Sequence, residues 1–258
     1  MRILIVGDVF SKLGRASLEE NLPRLRQEYQ IDFTIVNGEN TSHGKGINEN
    51  HYKWMLSLGV DAITLGNHSF HNKDIYRYID GVNNIIRPCN YIKDKPGKPY
   101  QQFTCKNKTI TVFQLLGQVF MQEHVLSPFE KTEEILQNVP SDIYICDFHG
   151  EATSEKIAFA HHFDGRIHII YGTHTHVQTN DARILPKGTA FITDVGMTGP
   201  HEGVIGVEKE IVIARFLQET KHRFTPQNTG KRQFNGIIID FNEHTQTSTI
   251  FQVLNIVE

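Results

Sequence analysis

The sequence predicts an α/β protein built around a largely parallel, buried β-sheet. Short runs rich in β-branched residues alternate with helix-like segments along most of the chain, which is the pattern of consecutive βα units. Several of these runs are apolar throughout, as in strands covered on both faces. Five of them end in polar residues, so the predicted sheet has a polar edge at which a functional site can form.

The first half of the chain contains three predicted strands, at residues 3–6, 31–36 and 60–65. Its predicted helices are residues 13–29, 48–58 and 74–79. Leu18, Leu22 and Leu25 lie at helical spacing in the first of these, and Pro23 is expected to kink or divide it. Asn48 is a suitable cap for the second. The segment that follows the third, through residue 99, is rich in charge and turn formers and predicts a surface connection.

The second half continues the alternation. Its predicted strands are residues 109–116, 143–146, 167–171, 183–185 and 190–193, and its predicted helices are residues 128–139 and 154–162. A glycine-rich loop at 196–206 and a further segment at 208–217 come next. The last two runs, 236–241 and 247–254, alternate in polarity and predict an antiparallel pair. Length permits one domain or two, and the continuous pattern favours a single domain over residues 1–258.

Composition restricts the class of protein. The 258 residues are 39% hydrophobic and 21% charged, which describes a globular chain. A formal net charge of −3 without a long basic block argues against a general nucleic-acid or membrane binder. Three cysteines without Cys-x-x-Cys spacing argue against a disulfide framework and against a thiolate zinc site. The apolar run at residues 3–6 is too short for a signal peptide, so we expect a cytoplasmic protein.

Metal-capable side chains stand at the ends of five predicted strands. They are Asp8, Glu39 with Asn40, Asn67 with His68, His149, and His174 with His176. The carboxyl ends of the strands share one edge in an open α/β sheet, so these residues can meet in a single cleft. His174 and His176 are two positions apart in a segment predicted to be extended, so their rings point the same way and can serve neighbouring coordination sites.

The donor chemistry is oxygen and imidazole without sulfur. Such a set suits iron, manganese or zinc and suits calcium poorly. The ligands are too many for one ion, whereas two ions about 3.5 to 4 Å apart with a bridging carboxylate would use them all. Glu39 is the natural bridge. We therefore predict two divalent or trivalent metal ions per chain, with iron or manganese preferred and zinc possible.

The order of these motifs resembles the calcineurin-like metallophosphoesterase superfamily across nearly the whole chain. The motifs are Gly7-Asp8, Gly38-Glu39-Asn40, Gly66-Asn67-His68, His149-Gly150 and Gly172-Thr173-His174-Thr175-His176. Two positions depart from the commonest pattern: Phe10 stands where a ligand His normally follows the first Asp, and Glu39 stands where the bridge is usually Asp. With residues 193–200 downstream, these departures resemble the bacterial YmdB subfamily, whose members are described as cyclic-nucleotide phosphodiesterases. Asn40 is expected to compensate for the missing His.

The resemblance implies a four-layer α/β/β/α fold, with two packed mixed sheets flanked by helices. It implies that Asp8, Glu39, Asn40 and His176 hold the first metal, and that Glu39, Asn67, His149 and His174 hold the second. His68 would be the proton donor after attack by a metal-activated hydroxide. The implied substrates are 2′,3′-cyclic and possibly 3′,5′-cyclic nucleotides. A dimer or tetramer is implied in the same way.

Other functions are open at this level. The same metals suit a phosphomonoesterase or a ribonuclease, and a regulatory binding protein would also retain them. Lys45 and His201 are candidate substrate-binding residues. The basic cluster is interpreted as a solvated loop, with RNA or subunit contact as the alternative; it consists of Lys221, His222, Arg223, Lys231 and Arg232. No membrane contact is expected.

Overall fold

The protein was studied as a computed structural model, which describes residues 1–219, 223–243 and 245–258. Its strands are β1 Arg2–Val6, β2 Asp8–Val9, β3 Phe33–Asn37, β4 Ala62–Thr64, β5 Ile85–Ile86, β6 Tyr100–Cys105, β7 Lys108–Leu116, β8 Ile143–His149, β9 Ile169–Thr173, β10 Arg183–Ile184, β11 Ala190–Ile192, β12 Met197–Pro200, β13 Arg232–Asn242 and β14 Thr247–Val257. The helices are α1 Ser11–Glu28, α2 Glu49–Ser57, α3 Pro128–Asn138, α4 Thr153–His162 and α5 Lys209–Phe216, with 3-10 turns at Lys73–Arg77 and Ile79–Gly81.

The strands form two mixed sheets. The first contains eight strands in the order β2-β12-β13-β1-β3-β4-β5, with β14 also paired to β13. The second contains six in the order β10-β11-β9-β8-β7-β6. In the first sheet, β1, β3, β4 and β5 are successive parallel neighbours, and in the second, β7, β8, β9 and β11 are. The pairs of β13 with β1, β12 and β14 are antiparallel, as are β10 with β11 and β6 with β7, whereas β2 pairs with β12 in parallel. The predicted antiparallel pair at the end of the chain is confirmed as β13 and β14.

Alternation along the strands explains the four layers. Ile3 and Ile5 of β1 belong to a core cluster that also contains Ile143 and Ile145 of β8, so this cluster lies between the sheets. Leu4 of β1, by contrast, packs with residues of α1 and α2 on the outer face of the first sheet. The outer face of the second sheet packs in the same way against α3 and α4. The four-layer α/β/β/α fold is therefore confirmed.

Helix α1 runs without a break from Ser11 to Glu28, so the division at Pro23, one of the two predicted effects, is wrong. Pro23 lies on the solvent-exposed face of the helix, whereas Leu18, Leu22 and Leu25 face the core. Proline removes one backbone hydrogen bond, to the carbonyl of Glu19. Because Glu19 is also exposed, water can satisfy that carbonyl and the helix continues.

Several other predictions of local structure differ from the fold. Strand β5 was not predicted, since it has only two residues and shows no measurable periodicity. Strand β6, which has six residues, was not predicted either. The predicted helix at 74–79 is two short 3-10 turns. The glycine-rich loop contains β12, which pairs with both β2 and β13. None of the helices in the described ranges is both long enough and apolar enough to cross a lipid bilayer.

Candidate metal centre

The predicted site residues lie together at the edge where the carboxyl ends of the parallel strands of both sheets meet. Glu39, Asn40, Asn67 and His68 follow β3 and β4 of the first sheet, and Asp8 begins β2 directly after β1. From the second sheet, His149 ends β8, while His174 and His176 follow β9. The loops of two sheets, rather than of one, therefore supply the donors.

In the first group, three donor atoms lie around Nε2 of His149. Nε2 of His149 lies 3.0 Å from Oδ1 of Asn67, 3.1 Å from Nδ1 of His174 and 3.3 Å from Oε1 of Glu39. Ligands bound at right angles about 2.1 Å from one ion are themselves about 3.0 Å apart. The spacing around Nε2 of His149 therefore fits a shared first-row metal or magnesium ion.

A buried relay sets the tautomer of His149. Residues 149 and 173 are register partners on β8 and β9, and Nδ1 of His149 lies 2.9 Å from the Thr173 hydroxyl. That hydroxyl donates its only proton to Oδ1 of Asp147, at 2.6 Å. Nδ1 of His149 must therefore be the donor to Thr173, which leaves Nε2 as the nitrogen that can bind a metal once its own proton is displaced.

The other two histidines are oriented in the same manner. Oε2 of Glu151 lies 3.3 Å from Nε2 of His174, and a carboxylate at this distance favours a proton on Nε2, which leaves Nδ1 to bind a metal. Nδ1 of His176 donates to the backbone carbonyl of Ile205 at 2.8 Å, because a carbonyl can only accept. Each of the three rings thus turns one nitrogen toward the centre.

The second group consists of Asp8, Asn40 and His176. Nε2 of His176 lies 3.3 Å from Oδ1 of Asn40, and Nδ2 of Asn40 donates to the Gly44 carbonyl at 3.0 Å, which aims the amide oxygen at the centre. Asp8 is fully buried, and its Oδ1 has no hydrogen-bond partner among the described residues. An orphaned buried carboxylate oxygen is costly unless a cation binds it. The residues present therefore fit a metal.

The electrostatics favour a cation in the same place. Burial raises the pKa of Asp8 to about 7, against the lowering effect of His176 and His149. Burial lowers the pKa of His149, but Glu39, Asp8 and Asp147 together outweigh it and raise that pKa to about 9. The carboxylates that hold a proton on His149 would equally attract a metal cation, which would take the place of that proton.

The loop that carries His174 and His176 is not extended, contrary to the sequence prediction. β9 ends at Thr173, and the two histidines have positive φ values of 100° and 65°. Positive φ is unfavourable for residues with a side chain, so the surrounding structure must hold this loop. The holding contacts come from Lys156 and Asp194, which are both buried.

Gly66 allows the donors to approach one another. A Cβ at this position would overlap Oε2 of Glu39 and lie 2.6 Å from the His149 ring. Close approach of this kind is a use that only glycine serves.

His68 lies beside the donors without joining them. Its backbone N–H donates to Oε2 of Glu39 at 2.9 Å, while its ring nitrogen Nδ1 lies 3.2 Å from Nδ1 of His71. Burial lowers the pKa of His68 to about 4, so its ring is neutral near pH 7. Both rings line a cavity of about 1130 Å³ whose wall also includes Glu39, Asn40 and His176.

The two candidate substrate-binding residues are placed differently. Lys45 lines the large cavity beside His68. His201 does not: it lines a separate hollow of about 300 Å³ behind His176, and its ring is 2.9 Å from Gln233. Of the predicted basic cluster, Lys221 and His222 lie outside the described residues, Arg223 lines the large cavity, and Arg232 forms ion pairs with Glu20 and Glu258.

Sequence reasoning missed the residues that orient the ligands. Asp147 and Asp194 each interrupt an apolar strand-like run, and an acid in such a position is a detectable signal of a buried hydrogen-bond network. Asp147 indeed accepts from Asn37, Gln114 and Thr64 as well as from Thr173. Glu151 and the Ile205 carbonyl carried no signal, because their role depends on contacts that sequence spacing does not reveal.

The class of protein follows from these features. Two mixed sheets packed face to face, helices on both outer faces and metal donors at the shared edge form the metallophosphoesterase arrangement. The NAD nucleotidase of Haemophilus influenzae has the same fold, with a TM-score of 0.61 at 15% identity over 100% of this chain and 56% of that one. This likeness concerns the fold alone.

The family is more specific. The chain matches the YmdB-like proteins over residues 4–253 and belongs to that family. It is 44% identical over 248 residues to the 2′,3′-cyclic-nucleotide 2′-phosphodiesterase of Bacillus subtilis (strain 168). The aligned region covers 95% of this chain and 93% of that protein. The crystal structure of a novel phosphatase from Mycoplasma pneumoniae superposes with a TM-score of 0.94 at 36% identity, over 100% of this chain and 93% of that one. The predicted subfamily and the predicted phosphodiesterase class are thereby confirmed.

Proposed function

We propose that this protein is a dinuclear-metal phosphodiesterase that hydrolyses 2′,3′-cyclic nucleotides. The observation that carries the proposal is the set of three histidines whose outer nitrogens lie beside the Thr173 hydroxyl, the Ile205 carbonyl and the Glu151 carboxylate, so that their other nitrogens turn toward the donor groups that contain Asp8 and Glu39. The activity named for the Bacillus subtilis relative supports the substrate class.

In this proposal the ligands divide into two groups that share Glu39. Asn67, His149 and His174 join Glu39 at one ion, because their donor atoms surround Nε2 of His149 at 3.0 to 3.3 Å. Asp8, Asn40 and His176 join it at the other. The oxygen and imidazole donors favour iron or manganese, with zinc possible. Bound ions would neutralise the phosphodiester charge and lower the pKa of a coordinated water.

The remaining roles fall to residues on the cavity wall. His68 is placed next to the donors but is not one of them, so we assign it protonation of the leaving ribose oxygen. Its ring is neutral in the free protein, and an anionic phosphodiester beside it would raise its pKa toward the value a proton donor needs. Lys45 would contact a phosphate oxygen from the same wall.

A substrate panel tests the proposal. Protein whose metal content has been measured by elemental analysis would be assayed with 2′,3′-cyclic AMP, 3′,5′-cyclic AMP, p-nitrophenyl phosphate and single-stranded RNA. We expect about two ions per chain and the fastest turnover with 2′,3′-cyclic AMP. Turnover of only RNA or only the monoester would instead identify a ribonuclease or a phosphomonoesterase. No turnover of any substrate by the metal-loaded protein would favour a binding role.

A further inference from the structure

The large cavity extends well beyond the metal centre. One part of its wall, here called the outer wall, comes from the segment after β12 and consists of Ile205, Val207, Arg215, Arg223, Phe224 and Pro226. None of these side chains is among the predicted ligands or proton donors. The cavity volume of about 1130 Å³ is slightly above the usual range of ligand pockets, which is roughly 300 to 1,000 Å³, so a ligand larger than a phosphate group fits.

Phe224 is the open aromatic ring of this wall. Its side chain is 52% exposed, and the guanidinium carbon of Arg215 lies 4.7 Å from its ring centroid. Phe10 also lines the cavity but is buried, with its ring against His176 at 5.5 Å. Imidazoles aside, Phe224 is thus the exposed aromatic ring among the described residues of the cavity wall.

The backbone holds Phe224 at a set position relative to the metal donors. The N–H of Glu208 donates to the Thr225 carbonyl at 3.0 Å, and the N–H of Gln227 donates to the Gly206 carbonyl at 2.9 Å. These bonds attach the segment around Phe224 to the turn that contains Ile205. The carbonyl of Ile205 in turn holds His176. The backbone that directly follows Phe224 and the ligand His176 are therefore attached to the same short turn.

An aromatic ring beside a guanidinium group is a surface on which nucleobases stack. We propose that Phe224, supported by Arg215, is the platform on which the nucleobase of the substrate stacks while its phosphate lies at the metal centre. This inference rests on the proposed function, since it assumes a nucleotide substrate. Stacking recognises the face of a base rather than its edge, so the platform accepts all four bases and binds purines more tightly than pyrimidines.

Equilibrium binding tests the platform without relying on turnover. Titration calorimetry on the metal-loaded protein would compare adenosine 3′-phosphate with ribose 3-phosphate, which lacks the base. We expect the adenosine compound to bind roughly 5- to 100-fold more tightly, as one stacked base contributes. Phe224→Ala should bring the ratio of the two affinities to about one, and Phe224→Trp should retain the wild-type ratio. Phe224→Leu keeps bulk without the aromatic face and should behave like Phe224→Ala.

Phe216→Ala is the matched control, because Phe216 is 84% exposed and does not line the cavity. Affinity for ribose 3-phosphate should be the same in every variant, which shows that the metal centre is intact. A wild-type protein that binds both compounds equally, or does not bind adenosine 3′-phosphate, would overturn the platform, as would an unchanged ratio in Phe224→Ala. A retained ratio without hydrolysis of 2′,3′-cyclic AMP would refute the proposed function and leave the platform standing.

Discussion

Nζ of Lys156 lies 2.8 Å from Oδ2 of Asp194, and the two buried groups together hold the loop that carries His174 and His176. Lys156 also donates to the Thr173 carbonyl at 2.8 Å, at the start of the loop. Asp194 accepts from the Thr175 N–H at 3.2 Å and from its hydroxyl at 2.8 Å. Burial raises the pKa of Asp194, but Lys156 and the hydrogen bonds outweigh it, so that pKa lies below its usual value.

Replacing Asp194 with Asn should therefore destabilise the protein. The substitution leaves the Lys156 ammonium buried without a counter-charge, which costs about 3–5 kcal/mol of unfolding free energy. Urea unfolding of the metal-free protein measures this. Adding Lys156→Met should restore part of the loss, because the double variant removes the unpaired charge. Additive losses in the two single variants would show that the pair is not coupled.

Replacing either His174 or His176 should lower metal content by about one ion. The two rings belong to different donor groups, with Nδ1 of His174 near His149 and Nε2 of His176 near Asn40. Elemental analysis of His174→Ala and His176→Ala, with circular dichroism to verify the fold, tests this. His201→Ala should keep both ions. If either replacement emptied both sites, the proposed division of ligands would not stand.

Replacing His68 with Ala should spare the metals and lower turnover. A positioned proton donor contributes roughly 10² to 10⁴ in rate, and the ring is not among the converging donors. The measurement is kcat for 2′,3′-cyclic AMP together with metal content in the same preparation. Unchanged turnover would remove His68 from the mechanism. Loss of metal would make it a ligand or a structural support instead.

Replacing Glu151 with Ala should weaken metal binding without emptying the site. This carboxylate orients His174 from outside the donor group, and loss of such an orienting contact typically costs 10- to 100-fold in affinity. Competition with a chelator gives the affinity. Glu134→Ala, on the exposed face of α3, is the control. Equal affinity in the Glu151 variant and wild type would show that the carboxylate does not orient the ring.

Replacing Gly66 with Ala should disrupt the centre. The added methyl group would overlap the Glu39 carboxylate and press on the His149 ring, so the donors can no longer converge. We expect loss of bound metal and a lower melting temperature. Gly81→Ala is the matched control, because a Cβ there meets nothing within 4 Å. Normal metal content in Gly66→Ala would mean that the backbone shifts to accommodate the methyl group.

The strand ends were readable from the sequence because their signal is local. An apolar run followed by glycine and a polar donor is visible at Asp8, Glu39 and Asn67, and an apolar run followed by a donor and then glycine is visible at His149, in each case without knowledge of neighbours. Parallel strands then place such ends at one edge by geometry alone. The two-sheet architecture did not follow from that pattern, since one sheet has the same alternation; only the resemblance to a family implied it.

The sequence by itself determined which residue types gather at the edge of the sheets and the family to which the chain belongs. Only the tertiary structure decided which nitrogen of each histidine faces the centre, because Thr173, Glu151 and the Ile205 carbonyl set that choice through hydrogen bonds and charge. Tertiary contact likewise brings Phe224 to the cavity that contains His176. Hydrogen bonds between residues far apart in the chain leave no periodicity in the sequence, and for that reason they had to be found in the fold.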